Sequence, residues 1–223
     1  MCVIKNVSTQ NYYFMKPLFT DPKEQDLIQK VGLVFIEKGM KAMTMDDIAS
    51  ELHVSKKTLY KYVKNRSELV TKCVKLRVHK EMENRTMLAA AGLNAIEENL
   101  KIMEFTSQIV AKTTEKVHDD LEKHFPEAFA VIQDYTNNFL LKAVLKNMEK
   151  GVKEGLYCAQ INPKILAKMY ISKIDLVFDG MTFPPNEFNL ADVLSSVVIH
   201  NMRGMATSTG IKLIEEHTNQ KYK

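Results

Sequence analysis

From Asp21 onward the apolar residues recur at helical spacing, and no alternating run bounded by turn residues marks a strand. Leu27, Ile28, Val31, Val34 and Phe35 share one face of a first helix. Asp21 is placed as its N-cap, Pro22 at its first position and Glu24 three residues on, while Gly39 supplies a left-handed stop. Thr44 opens a second helix whose face is Met45, Ile48, Ala49 and Leu52, with Asp46 and Asp47 favoured near its positive end. Ser55 caps a third, and Asn65-Arg66-Ser67-Glu68 starts a fourth with a box-like pattern.

Helical spacing continues to the end. Asn94 and Glu97 open a helix reaching about Lys116, and Val117 to Phe125 forms a short one. Pro126 suits the first turn of a long helix to Glu154, stopped by Gly155; Asn162-Pro163 and Asn189 start two more. The pattern predicts an all-α protein. Residues 1–20 form an arm without period, in which Met15 is an alternative start. Residues 21–66 make an N-terminal three-helix domain, and 67–223 a larger helical domain.

The helices over 164–179 and from Leu190 are apolar around most of their circumference, so each needs cover on two sides. One cover is the core. A second copy of the chain is the other, with Leu166, Met169, Tyr170, Ile174, Val177, Leu194, Val197, Val198, Met202 and Met205 at a homodimer interface. A monomer with a central buried helix is the alternative.

Charge changes the picture in one place. The net charge is +4, but residues 53–80 hold nine basic side chains against Glu68 alone. A basic segment on a near-neutral body points to a polyanion, or to a solvated lysine face. Cys2, Cys73 and Cys158 are odd in number and far apart, which argues for a reducing cytoplasm and against a disulfide framework or zinc cluster. No apolar run is long enough to span a bilayer, and no leader peptide is evident.

The segment Met45–Lys64 concentrates the candidate chemistry. Leu59 and Val63 lie on one side of its second helix, while Lys56, Lys57, Tyr60, Lys61 and Lys64 form a cationic stripe on another. Such a stripe, held out by a turn, suits the major groove of duplex DNA. There Lys56, Lys57 and Lys61 can donate to guanine O6 and N7.

Gly39, Met43-Thr44-Met45, Asp47-Ile48-Ala49, Val54-Ser55-Lys56-Lys57-Thr58-Leu59-Tyr60, Tyr62-Val63-Lys64-Asn65-Arg66 and Glu68-Leu69 occur in an order that resembles the tetracycline-repressor (TetR-type) transcriptional regulators. The resemblance covers about residues 22–70. It implies a helix-turn-helix reader, a homodimer on a pseudo-palindromic operator, and a variable helical body that binds an effector and dimerises. It also implies phosphate contacts for Thr44, Tyr60, Tyr62 and Arg66, and base or phosphate contacts where Ser55, Lys56, Lys57 and Thr58 open the recognition helix. Two positions depart from the family pattern: His53 stands where glycine is usual, and Val63 where phenylalanine is common.

For a small apolar effector, Met103, Phe105, Ile109, Phe125, Phe129, Ile132, Tyr135, Phe139 and Phe178 are candidate lining residues, each with ordinary core packing as the alternative. His118 and His124 fall on different helix faces, so no metal site is expected. The chain has no Gly-rich phosphate loop, no His-Glu-x-x-His, no Gly-x-Ser-x-Gly and no paired cysteines; neither an enzyme nor a cofactor is expected. The expected function is a cytoplasmic repressor released by a small molecule. The rival is a helical ligand-binding or scaffold protein whose basic N-terminus meets a non-DNA acidic partner.

Overall fold

The computed structural model describes residues 18–112, 115–184 and 186–221, apart from the side chains of 115, 116, 220 and 221. Its regular elements are α1 (Pro22–Lys38), α2 (Met45–Glu51), α3 (Lys56–Tyr60), α4 (Arg66–Ala89), α5 (Ala95–Val110), α6 (Glu115–His124), α7 (Pro126–Asp134), a π-helical segment (Tyr135–Leu140), α8 (Leu141–Lys153), α9 (Pro163–Val177), α10 (Leu190–Met205) and α11 (Ser208–Lys221). Among the described residues no strand forms beyond a single antiparallel bridge between Tyr157 and Ala206. No described helix is long and apolar enough to cross a membrane. The expected arm lies mostly outside the described residues.

The described residues form two compact units, one up to Thr86 together with Asp119–Ile132, the other Met87–His118 with Gln133 onward. In the first, the predicted face of α1 is buried, and Ile28, Val31 and Phe35 are fully enclosed. Ile48 and Ala49 of α2, Leu59 of α3 and Leu69, Val70, Cys73 and Val74 of α4 are buried as well, and the Cys73 thiol donates to Ile28 O at 3.4 Å. Each such large side chain stabilises by about 1.5–3 kcal/mol relative to exposure. Asp21 caps α1 by accepting from Lys23 N at 2.9 Å, and Gly39 (φ +83°) stops it. At the start of α4, Asn65 accepts from Glu68 N at 2.9 Å, but Glu68 reaches one residue further back, accepting from Lys64 N at 2.7 Å.

In the second unit, α10 packs most extensively on α5, and α9 packs on α8 and α10. Asn94 and Glu97 form the expected reciprocal cap at the start of α5. Three departures from the periodicity appear. Helix α5 stops at Val110 instead of running to about Lys116. The long helix after Pro126 contains the π-helical segment, where Leu141 N donates to Thr136 O across five residues. It interrupts no apolar stripe, so a 3.6-residue period does not register it. Finally, the last helix breaks after Met205. Cys158 N donates to Met205 O at 2.8 Å and Thr207 N to Leu156 O at 2.9 Å, tying the break to the turn after α8. Helix α11 then starts at Ser208, where Gly210 N donates to the Thr207 hydroxyl at 3.3 Å.

Candidate nucleic-acid interface

Helix α2 is fixed at its start by a closed box. Asp47 N donates to Thr44 Oγ1 at 3.2 Å, Thr44 N donates to Asp47 Oδ2 at 2.9 Å, and the Thr44 hydroxyl donates to the same carboxylate at 2.6 Å. These donors hold the Asp47 carboxyl below the usual carboxylate range, the side-chain bond from Thr44 foremost. Helix α2 ends in a left-handed residue, His53 (φ 53°), the position where the family pattern has glycine. Imidazole-bearing residues enter that region more readily than branched ones. Val54 N returns to Ala49 O at 3.0 Å, and Ser55 caps α3 by accepting from Thr58 N at 3.1 Å. Leu59 and Val63 turn into the core. The expected helix to Lys64 is cut short: α3 ends at Tyr60, so Lys56, Lys57 and Tyr60 stand on it while Lys61 and Lys64, also exposed, lie in the turn and bend that follow.

The predicted contact residues separate into two groups. Lys57 and Lys64 are exposed, and neither ammonium has a partner among the described residues; Tyr60 is 46% exposed. Lys56 is also exposed but holds Asp46 at 2.8 Å, which raises its pKa. Ser55 and Thr58 share a hydroxyl hydrogen bond of 2.8 Å. Lys61 donates to Tyr62 Oη at 3.1 Å, which raises the Lys61 pKa, and Tyr62 in turn donates to Asp21 Oδ2 at 3.0 Å. The Asp21 carboxyl sits below its ordinary value, chiefly through the backbone bond from Lys23 and then through Tyr62.

Arg66 faces the protein. Its Nη1 donates to Met43 O at 3.0 Å and Lys41 O at 3.3 Å, and the guanidinium lies 5.3 Å over the Phe125 ring. Lys72, which the sequence did not single out, donates to Tyr62 O at 2.6 Å and Glu24 Oε1 at 2.7 Å, joining α1, α4 and the end of the reader. An open groove of about 490 Å³ runs between α1 and α3, with Lys23, Lys30, Lys57 and Lys61 along its walls.

The nine candidate effector residues divide between the two units. Phe125, Phe129 and Ile132 fall in the first unit, and Met103, Phe105, Ile109, Tyr135, Phe139 and Phe178 in the second. Met103 is core, Tyr135 stacks on Phe139 at 5.8 Å, and Phe178 stacks on His118 at 5.7 Å. A cavity of about 10 Å³ in the second unit is lined by other residues, among them Asn99, Asn147 and Asn201. Of the ten interface candidates, Val177, Leu194, Val198, Met202 and Met205 are buried inside the chain and have no area left for a second copy. Leu166, Tyr170, Ile174 and Val197 are half-buried, and Met169 is 50% exposed. Ile165 and Leu176, also exposed, lie on the Met169 side of α9 at positions i−4 and i+7. Periodicity gives the apolar width of a helix, but not which half its own chain covers.

Cys73 is buried and donates to Ile28 O at 3.4 Å; burial pushes its thiol pKa far up, which removes the thiolate that redox chemistry needs. Among the described residues no three His, Cys, Asp or Glu side chains are placed to hold a metal ion.

Comparison with known proteins adds to this geometry. Residues 34–73 match the family described as "Bacterial regulatory proteins, tetR family". The chain is 26% identical, over 73% of its length and 84% of the relative's, to YvaF of Bacillus subtilis (strain 168), an uncharacterized HTH-type transcriptional regulator. Its fold is similar to that of regulatory protein TetR from Rhodobacter sphaeroides (TM-score 0.66, 13% identity, 82% of this chain and 99% of that one). It is also similar to SmeT, the repressor of the Stenotrophomonas maltophilia multidrug efflux pump SmeDEF, in its triclosan complex (TM-score 0.64, 14% identity, 83% and 93%).

Proposed function

We propose, of a chain that belongs to the tetR family of bacterial regulatory proteins, that it is a homodimeric repressor whose hold on an operator is released by a small molecule. The chain is an all-α, helix-turn-helix transcriptional regulator and not an enzyme. The single observation that carries the finer reading is the exposed cationic surface of α3 and the turn after it, with Lys57 and Tyr60 on the helix and Lys61 and Lys64 just beyond it, above a side where Leu59 and Val63 are core. Lys57 is the first base reader in this proposal, because its ammonium is exposed and unpartnered. Lys56 joins it by exchanging Asp46 for a phosphate, and the lysines along the α1–α3 groove follow the backbone. Thr44 and Ser55 present helix N-termini to phosphates, while Tyr62 and Arg66 hold the reader in shape.

Pairing supports an operator of two half-sites. Ile165, Met169 and Leu176 make an exposed apolar row on α9, suited to the same row of a second copy. Two recognition helices must then sit about 34–36 Å apart to enter successive major grooves. An effector that prefers a conformer with another spacing lowers DNA affinity by the ratio of its affinities for the two. The SmeT complex with triclosan is a precedent for small-molecule binding in a protein of this fold. Action on DNA implies a cytoplasmic setting.

The test is enrichment of genomic fragments by the purified protein, repeated with Lys57→Ala and Lys61→Ala. Recovery of a pseudo-palindromic site that both variants lose supports the proposal. A protein that is monomeric on DNA, or enrichment without two related half-sites, refutes it.

A further inference from the structure

Because α3 ends at Tyr60, the exposed Lys61 and Lys64 stand on a turn and a bend, not on a helix. The backbone bonds of this segment back to α3 end with Val63 N, which donates to Leu59 O at 3.2 Å. Where the two cations lie therefore depends on what else fastens the segment. Val63 is buried. Glu68, in the first turn of α4, accepts from Lys64 N at 2.7 Å. Asp21, the cap of α1, accepts from the Tyr62 hydroxyl at 3.0 Å. The remaining tie is Lys72 of α4, whose ammonium donates to Tyr62 O at 2.6 Å and to Glu24 Oε1 of α1 at 2.7 Å. A carbonyl just past a helix end needs such a donor, because the ladder no longer supplies one.

Lys72 differs from the other ties in holding the segment to α1 and α4 at once. The side chains of Lys72 and Glu24 are 23% and 15% exposed, so this pair is partly withdrawn from water and holds more firmly than a surface ion pair. Glu68 Oε1 lies 3.9 Å from the same ammonium, which thereby balances the carboxylate that fastens Lys64 N. The Phe19 ring covers it at 5.9 Å. An ammonium has three N–H donors. With Tyr62 O and Glu24 each taking one, and with Glu68 and Phe19 around the rest, Lys72 is engaged inside the protein and is not a free phosphate ligand.

We propose that Lys72 is a positioning residue for DNA binding: its ammonium fixes the Lys61–Lys64 segment to α1 and α4, and so sets where Lys61 and Lys64 meet the phosphate backbone. Lys72 itself touches no DNA. The role rests on the reading of α3 and the turn after it as the DNA contact surface. It needs neither an effector nor an identified operator, because phosphate contacts are made on any sequence.

The test uses the full chain and a random-sequence duplex, with affinity read by fluorescence anisotropy. Lys72→Met/Glu24→Gln removes the tie without changing the net charge, and it leaves neither half of the part-buried pair unmatched, so the variant folds. Lys61→Ala/Lys64→Ala should lower the affinity of the otherwise wild-type protein at least tenfold. Added to Lys72→Met/Glu24→Gln, the same two substitutions should lower it less than threefold. An equal loss in both backgrounds overturns the positioning role and leaves the contact surface standing. No loss in either background removes the contact surface itself, and the proposal with it. Hydrogen exchange without DNA gives a second readout. In Lys72→Met/Glu24→Gln the amides of Tyr62, Val63 and Lys64 should exchange at least tenfold faster, while those of Ile28, Val31 and Val70 keep their rates. Unchanged exchange at Tyr62, Val63 and Lys64 overturns the proposal, because the segment then needs no tie. Faster exchange at all six overturns it too, by making Lys72 a support of the whole unit.

Discussion

Replacing Arg66 with alanine separates a brace from a phosphate ligand. The guanidinium makes two hydrogen bonds to backbone carbonyls, at 3.0 and 3.3 Å, and lies 5.3 Å over Phe125. A hydrogen bond from a charged donor contributes about 1.5–3 kcal/mol, less where water can rehydrate the acceptor, as at Lys41 O. The ring contact adds about 0.5–1 kcal/mol. Taking the part-buried bond to Met43 O as the larger contribution, Arg66→Ala should destabilise the protein by roughly 2–3 kcal/mol. At 2–4 °C per kcal/mol this is a fall in Tm of about 4–12 °C. Urea unfolding gives the free energy, and the salt dependence of binding to any random-sequence duplex gives the electrostatic role. A brace leaves the slope of log K against log salt nearly unchanged at a temperature where the variant is folded. A phosphate contact removes about 0.9 from that slope for each copy bound. A variant of wild-type stability with a reduced slope refutes the reasoning.

Lys57→Ala should cost about 1–3 kcal/mol at a single base position; competition against a panel of single-base operator variants measures this, and an equal loss on every sequence would make Lys57 a phosphate contact. The folded-state carboxyl pKa values of Asp21 and Asp47 lie below their unfolded values, so both contribute stability above the ordinary carboxylate pKa. That contribution falls away as pH drops through the depressed values, and Asp47→Asn should flatten the acid limb of a stability–pH curve recorded by urea unfolding. A Cβ added at Gly151 would overlap Tyr157, with the ring Cγ at 2.8 Å, so Gly151→Ala should destabilise by about 1–3 kcal/mol despite alanine's better helix propensity. Denaturant melts that show the alanine variant to be the more stable would contradict this packing. Thiol titration of the native protein should find Cys73 unreactive until unfolding, and prompt labelling there would show that α4 opens readily.

The local devices of the reader were legible because each depends on a few adjacent residues. Asp21 before Pro22, Thr44 with Asp47, and Ser55 with Thr58 are caps whose donors and acceptors lie within four positions. The helix period places Lys56, Lys57 and Tyr60 on one exposed face, but it also carries the helix on to Lys64, whereas α3 ends at Tyr60. By themselves those residues determined an all-α chain with a cationic recognition helix near its N-terminus. Tertiary structure alone decided how each polar side chain is used. Arg66 and Phe125 lie 59 positions apart, so nothing local distinguishes a brace from a phosphate ligand. Nor does spacing show that Val198, Met202 and Met205 are covered by their own chain while Met169 stays exposed, because an apolar stripe reports how much surface needs cover and not what covers it.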